Sequence, residues 1–366
     1  SSVWESFGQN SLAALSSLVS LQCHQDISSE DARSAIQNVS RHALFGSQRL
    51  RTLDHSPSPL AVYGSCLCSL LDLGKNFELS DDVGRQIHLV LHEWAIRRGD
   101  FQDAACLMRF MVSNLKTSES KAMAPLRQMT LQQAAMYSQN GDFGKTRMIL
   151  RDALVSCKEN GSAADEGQIL LQRAILHLQS TREYPLNAMA PIIDCLSLCK
   201  TVQLDETKGP ALSVLGHMLL GMSEAELAIS TLRAALPVLV QNDHVWFQGH
   251  AFLTMAKSYL RLAKDPSSSA PNSKRKLKLA LKYLARAESI LLGCQDANGL
   301  REIYYIQARL HASPGGDQAL KKQAADNFVA ISRHLSNGAI RVDAIRGCLN
   351  NERLRDLAMR VLPVRF

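Results

Sequence analysis

Apolar residues recur at every third or fourth position over most of this chain, the spacing that lines one face of an α-helix. Two stretches show it most clearly. RRGDFQDAACLMRFM and SQNGDFGKTRMILRDAL each hold a Gly-Asp-Phe turn, with one amphipathic run entering and another leaving. Aligned on Gly99 and Gly141, they lie 42 residues apart. The same two-helix pattern continues downstream. Helix A offers a small residue and then a large one three later; helix B offers a small residue, a large apolar one four later, and a small one three after that. This is the tetratricopeptide arrangement.

Ala134 and Tyr137, with Thr146, Leu150 and Ala153, form one repeat. Gly216, Leu219, Ala228, Leu232 and Ala235 form a second, and Ala256, Tyr259, Ala280, Leu284 and Ala287 a third. Ala174, Ala188, Ile192 and Cys195 mark a weaker one. The helix-A positions are 92, 134, 174, 216 and 256, giving steps of 42, 40, 42 and 40. That regularity predicts an all-α, tetratricopeptide-like helical-repeat solenoid. The small residues have a packing purpose, because helices approach to about 8–10 Å only where contact residues are small or interdigitate.

One repeat is stretched. Ala256 and Ala280 are 24 residues apart, where Ala134 and Thr146 are 12 apart. The intervening KDPSSSAPNSKRK, with Pro266 and Pro271 among its serines, predicts a flexible loop. The ends are less regular. Helices are expected over Val3–Leu21, Glu30–Leu44 and Leu60–Leu73, and a last pair over Leu300–His311 and Asp317–Leu335 with Ala324 and Phe328 at helix-B spacing. Two capping helices, Ala339–Leu349 and Asn351–Val361, would follow. The expected division is 1–80 for divergent N-terminal helical repeats, 81–295 for the tetratricopeptide-like repeats, and 296–366 for the last repeat and caps.

Composition adds to this picture in three places. At 46% hydrophobic, 20% charged and 5% aromatic, the 366-residue chain can build a helical core and is not disordered throughout. The nine cysteines, mostly inside apolar helical runs, read as reduced buried thiols of an intracellular protein. The net charge of +7 is concentrated: Lys264 to Arg286 holds seven cations against Asp265 alone. A local patch argues against a nucleic-acid-binding field. Lys274, Arg275, Lys276, Lys278 and Lys282 are its candidate partner-contact residues, set against the plainer reading of a solvated loop. The start at Ser1, with neither a leader nor an 18-residue apolar run, reads as part of a longer chain with no signal peptide and no membrane span.

Candidate chemistry fails on its details. Gly144-Lys145-Thr146 ends like a phosphate loop, but Gln139 stands where the first glycine is needed, and a helix precedes it. His88 and His92 share a helix face, but Leu89 and Leu91 occupy the positions where a zinc protease needs its glutamate. Cys195 and Cys199 have no second ligand pair at zinc spacing. The sequons at Asn38 and Asn160 carry little weight in an intracellular chain, and Trp4, Trp94 and Trp246 read as core anchors. No catalytic, metal or cofactor residue is expected. Nor does a carboxylate clamp emerge, because Glu93, Ala135, Ile175, His217 and Lys257 follow the helix-A positions and none is Asn.

SSVWESFGQNSLAALSSLVSLQ, with Trp4, Phe7 and Gly8, is followed by LQQAAMYSQNGDFGKTRMILRDALVSCKENG and QNDHVWFQGHAFLTMAKSYL. Together these resemble the C-terminal repeat region of the subunit-five family of the anaphase-promoting complex (cyclosome). The resemblance covers most of Val3–Gln295. It implies a non-catalytic platform subunit of a multisubunit ubiquitin ligase that acts in the cell cycle, in nucleus and cytoplasm. Its partners would be other platform subunits and the repeat-protein arm, with no nucleic acid, membrane or small-molecule substrate. The family's N-terminal helical domain would lie before Ser1. The alternative is a tetratricopeptide-repeat adaptor of another intracellular assembly.

Overall fold

The computed structural model describes residues 89–338 apart from 90–91, 94, 118–122, 181–184, 243, 265–268, 295 and 313–316. The helices expected before residue 80 and after residue 338, with Trp4, His88 and Trp94, lie outside the described residues. After helical residues that end at Arg98, eleven further α-helices follow one another: α1 Phe101–Thr117, α2 Met123–Gln139, α3 Phe143–Asn160, α4 Ala163–Gln179, α5 Met189–Val202, α6 Asp205–Gly221, α7 Ala225–Gln241, α8 Val245–Ala263, α9 Ala270–Gly293, α10 Ala297–His311 and α11 Gln318–Gly338. A 3-10 turn, Pro185–Ala188, leads into α5. The chain is all-α and built of tetratricopeptide-like helical repeats. It divides into two compact units, Ala122–Leu292 and Ser1–Lys121 with Gly293–Phe366.

Within Ala122–Leu292, two of the A-to-B turns share one backbone device. Gly141 (φ 84°) and Ser223 (φ 79°) sit in the left-handed region. The next residue then donates its N–H five residues back, Asp142 to the Tyr137 carbonyl at 2.8 Å and Glu224 to that of Leu219 at 2.9 Å. This closes the C-terminus of one helix and starts the next. In the other unit Gly99 (φ 81°) repeats the device, with Asp100 N–H donating to Ala95 O at 2.8 Å. Asp142 continues as the N-cap of α3 and accepts from Lys145 N–H.

The core of the Ala122–Leu292 unit is the seam between helices. Ala134, Leu150, Ala228, Leu232, Ala235, Ala256, Tyr259, Ala280, Leu284 and Ala287 are buried, while Ala153 and Tyr137 are half-buried. Gly216 is needed for close approach: a Cβ there would stand 2.6 Å from Leu232 Cγ. Thr146 takes the helix-B small position without a gap, because its hydroxyl donates to the Asp142 carbonyl at 2.9 Å and reaches the Ala134 carbonyl at 3.4 Å. Hydrogen bonds from one helix to another join the repeats. Arg261 donates to the Leu220 carbonyl at 3.2 Å, Gln248 to that of Leu239 at 3.1 Å, and Arg233 to the Tyr259 hydroxyl at 2.8 Å. Arg233 gives the buried Tyr259 hydroxyl a donor, while Arg261 and Gln248 add a second donor to last-turn carbonyls that already accept from turn N–H groups.

The expected loop between Lys264 and Lys276 is corrected. Only 264–269 separate α8 from α9, and Ala270 to Lys276 are helical. The proline that suggested a loop, Pro271, stands in the first turn of α9, where its missing N–H has no helical acceptor to lose. The insertion is therefore additional helix. Thr146 and Ala228 lie three residues after the first residues of α3 and α7, whereas Ala280 lies ten after that of α9. The difference, at 1.5 Å per residue, lengthens α9 by about 10 Å.

Candidate interaction surface

The added length of α9 is held down by two of its side chains. Ser273 Oγ donates to the Ala263 carbonyl at 2.6 Å, and Lys276 Nζ to the Leu262 carbonyl at 3.2 Å. Both acceptors are last-turn carbonyls of α8, which have no partner inside their own helix. Farther along, Tyr283 stacks on Phe252 (centroids 5.9 Å apart) and on Tyr259 (5.6 Å), and Leu284, Ala287, Ile290 and Leu291 are buried. Gly249 of α8 admits Leu291, since a Cβ there would lie 2.5 Å from Leu291 Cδ2.

The opposite face of α9 carries charge. Lys274, Arg275, Lys278, Lys282 and Arg286 are exposed, and the guanidinium of Arg286 lies 4.7 Å from the Phe252 ring centroid. Lys274, Lys278, Lys282 and Arg286 follow one another at four-residue steps, so their side chains neighbour each other on the helix surface. Lys274, Arg275, Lys278 and Lys282 make no ion pair among the described residues. The only acid in α9 is Glu288, near its far end. Leu277 and Leu281 lie along one side of this row of cations in the helical register, 38% and 39% exposed. Of the five candidate contact residues, four thus share an outward face, and the fifth, Lys276, is turned to a structural hydrogen bond. Leu277 and Leu281 follow the segment read as loop, and the repeat pattern, which starts helix B at Ala280, did not single them out.

The remaining candidates fall into place as packing. His92 is buried, and Trp246 is half-buried against Phe247 and His250, with centroids 4.8 Å and 4.2 Å away. Gly144 and Lys145 lie in the first turn of α3, with Lys145 Nζ paired to Asp142 at 2.9 Å. That pairing holds the Asp142 carboxyl below the usual carboxylate range, first through the Lys145 side chain and then through its backbone N–H. Cys195 is fully buried and its thiol lies 3.4 Å from the Gly167 carbonyl. Burial, with Cys199 alongside, pushes it up to about 12. Cys106, Cys157 and Cys199 are also buried free thiols. Among the described residues no group of three His, Cys, Asp or Glu is placed to hold a metal ion, and no helix is long and apolar enough to cross a membrane.

In the unit that includes both ends of the chain, α11 closes onto the Gly99–Asp100 turn. His334 Nε2 lies 2.8 Å from the Arg98 carbonyl and 3.4 Å from Asp100 Oδ1, and Arg98 pairs with Asp100 at 3.2 Å. Leu335 fills the space that a Cβ on Gly99 would need.

No family model matches the chain. Two curated proteins do, each 23% identical over 185 residues: anaphase-promoting complex subunit 5 of Homo sapiens and of Pongo abelii. The aligned part is 50% of this chain and 24% of each relative, so the chain spans about a quarter of the length of the curated relatives it matches. Among solved structures, that of a Rap protein complexed with competence and sporulation factor superposes with a TM-score of 0.54 at 11% identity, covering 85% of this chain and 89% of that one. The structural likeness shows the fold, and the weak sequence likeness sets this helical-repeat chain beside a subunit of a large assembly.

Proposed function

We propose that this chain is a non-catalytic scaffold subunit of an anaphase-promoting-complex-type ubiquitin ligase, holding neighbouring subunits through its helical-repeat surface. The observation that carries the reading is the alignment with anaphase-promoting complex subunit 5 over 185 residues, on a fold of stacked helix pairs. A stack of repeats exposes long helix flanks suited to holding proteins. Asp142, Thr146, Gln248, Arg261, Ser273 and Lys276 each serve a cap, a helix end or a seam. Action in the nucleus and cytoplasm during the cell cycle follows from that role.

The test is affinity purification of the tagged, full-length protein from its native cells, with mass spectrometry of what remains bound. Cullin-like and RING subunits in stoichiometric yield are expected. Recovery of a different assembly, with neither of those subunits, would replace this reading by that of a repeat adaptor elsewhere.

A further inference from the structure

The lengthened N-terminal half of α9 is a feature that the repeat seam does not require. The seam residues begin at Ala280, and the preceding residues of α9 reach past the level at which α3 and α7 start. Their composition also works against the helix. Like charges at four-residue spacing destabilise by about 0.2–0.5 kcal/mol per pair, and no acid stands in the first turn to offset them.

We propose that this half-helix is a docking surface for an acidic, leucine-bearing helical segment of a partner protein. The partner's carboxylates would face Lys274, Arg275, Lys278 and Lys282, and its apolar side chains would cover Leu277 and Leu281. Charge complementarity identifies the occupant, since four exposed cations lack ion-pair partners among the described residues. The leucines separate it from other polyanions. A phosphate backbone gives nothing to cover Leu277 and Leu281, and the aromatic ring of this helix, Tyr283, is already stacked against α8. Two leucines less than half exposed are too little apolar surface to anchor a helix in a bilayer. The inference rests on the scaffold reading for the idea of a protein partner, and on α9 alone for its place and chemistry.

The experiment is fluorescence anisotropy on the full chain. The probe is a fluorescein-labelled amphipathic peptide of Glu, Leu and Ala, about 20 residues long so that it can form a helix. A scrambled peptide of the same composition, single-stranded RNA and phosphatidylserine-containing vesicles serve as competitors. Saturable binding is expected, weaker for the scrambled peptide and falling as salt rises from about 0.05 to 0.5 M. Charge reversal at Lys274, Arg275, Lys278 and Lys282 should weaken it at least about tenfold, and Leu277→Ser with Leu281→Ser about threefold or more. If the reversed chain melts early, the corresponding Gln variants are read in its place. Equal affinity for the scrambled peptide, unchanged affinity in the variants, or preferential capture of RNA or vesicles overturns the proposal. Normal peptide binding by a chain that recovers no ubiquitin-ligase subunit would sink only the scaffold reading. Recovery of those subunits without peptide binding would sink only this one.

Discussion

Gly216 and Gly144 are both helical glycines, yet alanine should act in opposite directions at the two sites. Alanine in place of glycine stabilises a helix by roughly 0.5–1 kcal/mol when its methyl group has room. At Gly144 a new Cβ meets only Asp142 Oδ1, at 3.8 Å, so the gain should appear nearly undiminished. At Gly216 it would lie 2.6 Å from Leu232 Cγ, 2.7 Å from Cδ2 and 3.3 Å from Cδ1. Leu232 has no exposed surface and lies between other seam residues, so it can retreat only by shifting α7. Overpacking of this kind costs about 1–3 kcal/mol, which outweighs the propensity gain. The two variants should therefore differ by about 1–3 kcal/mol. Urea unfolding followed by far-ultraviolet circular dichroism would measure this, with midpoints compared at constant slope. Leu232→Val, which removes a methyl group from the crowded side, should recover at least about 0.5 kcal/mol of the Gly216→Ala cost in a double-mutant cycle. Equal stabilisation by both alanines, or strict additivity with Leu232→Val, would refute close packing of α6 on α7 at this point.

Four other outcomes follow from the same structure. Ala235→Leu enlarges a fully buried seam position and should lower stability by about 1–3 kcal/mol in the same urea assay. Asp142→Ala removes the N-cap of α3 and should cost about 1 kcal/mol. Because the folded carboxyl is held below its unfolded value, the Asp142 contribution is complete above the ordinary carboxylate range and is lost as pH falls through the depressed one, so wild type and variant should converge in acid. Cys195, pushed up to about 12 and fully buried, should resist iodoacetamide at pH 8 in the folded chain and react on unfolding, while half-buried Cys294 reacts first among the described cysteines, as read by mass spectrometry of the labelled peptides.

The seam was legible in the sequence for a plain reason. A helix that packs on both neighbours must repeat small residues at fixed spacing, so Ala134, Ala174, Gly216 and Ala256 announce it through their 40–42-residue steps. Turns were legible only where glycine filled the left-handed position. Gly141 marked its turn, but Ser223 adopts the same geometry and left no mark. Its hydroxyl instead accepts from Arg261 at 2.6 Å, a partner 38 residues away that no local pattern can show. The misreading of Lys264–Lys276 has the same root. Proline and serine are loop-forming on average, yet both are tolerated or favoured in the first turn of a helix. What decides between them is the pair of bonds from Ser273 and Lys276 to the end of α8, which are tertiary.

The helical state of Ala270–Lys276 changes what the basic patch can bind. As a loop, its charge would be spread over many conformations and would bind any polyanion weakly, since ordering it costs about 1–2 kcal/mol per residue. As a helix anchored by Ser273 and Lys276, it presents cations and leucines at fixed spacing, with that ordering already met by the fold. Preorganisation of this sort favours a partner of matching shape over one of matching charge alone. The salt-insensitive part of binding, carried by Leu277 and Leu281, is therefore the quantity that separates the two descriptions. A patch whose affinity vanishes entirely at high salt would behave as the solvated loop that its composition suggests.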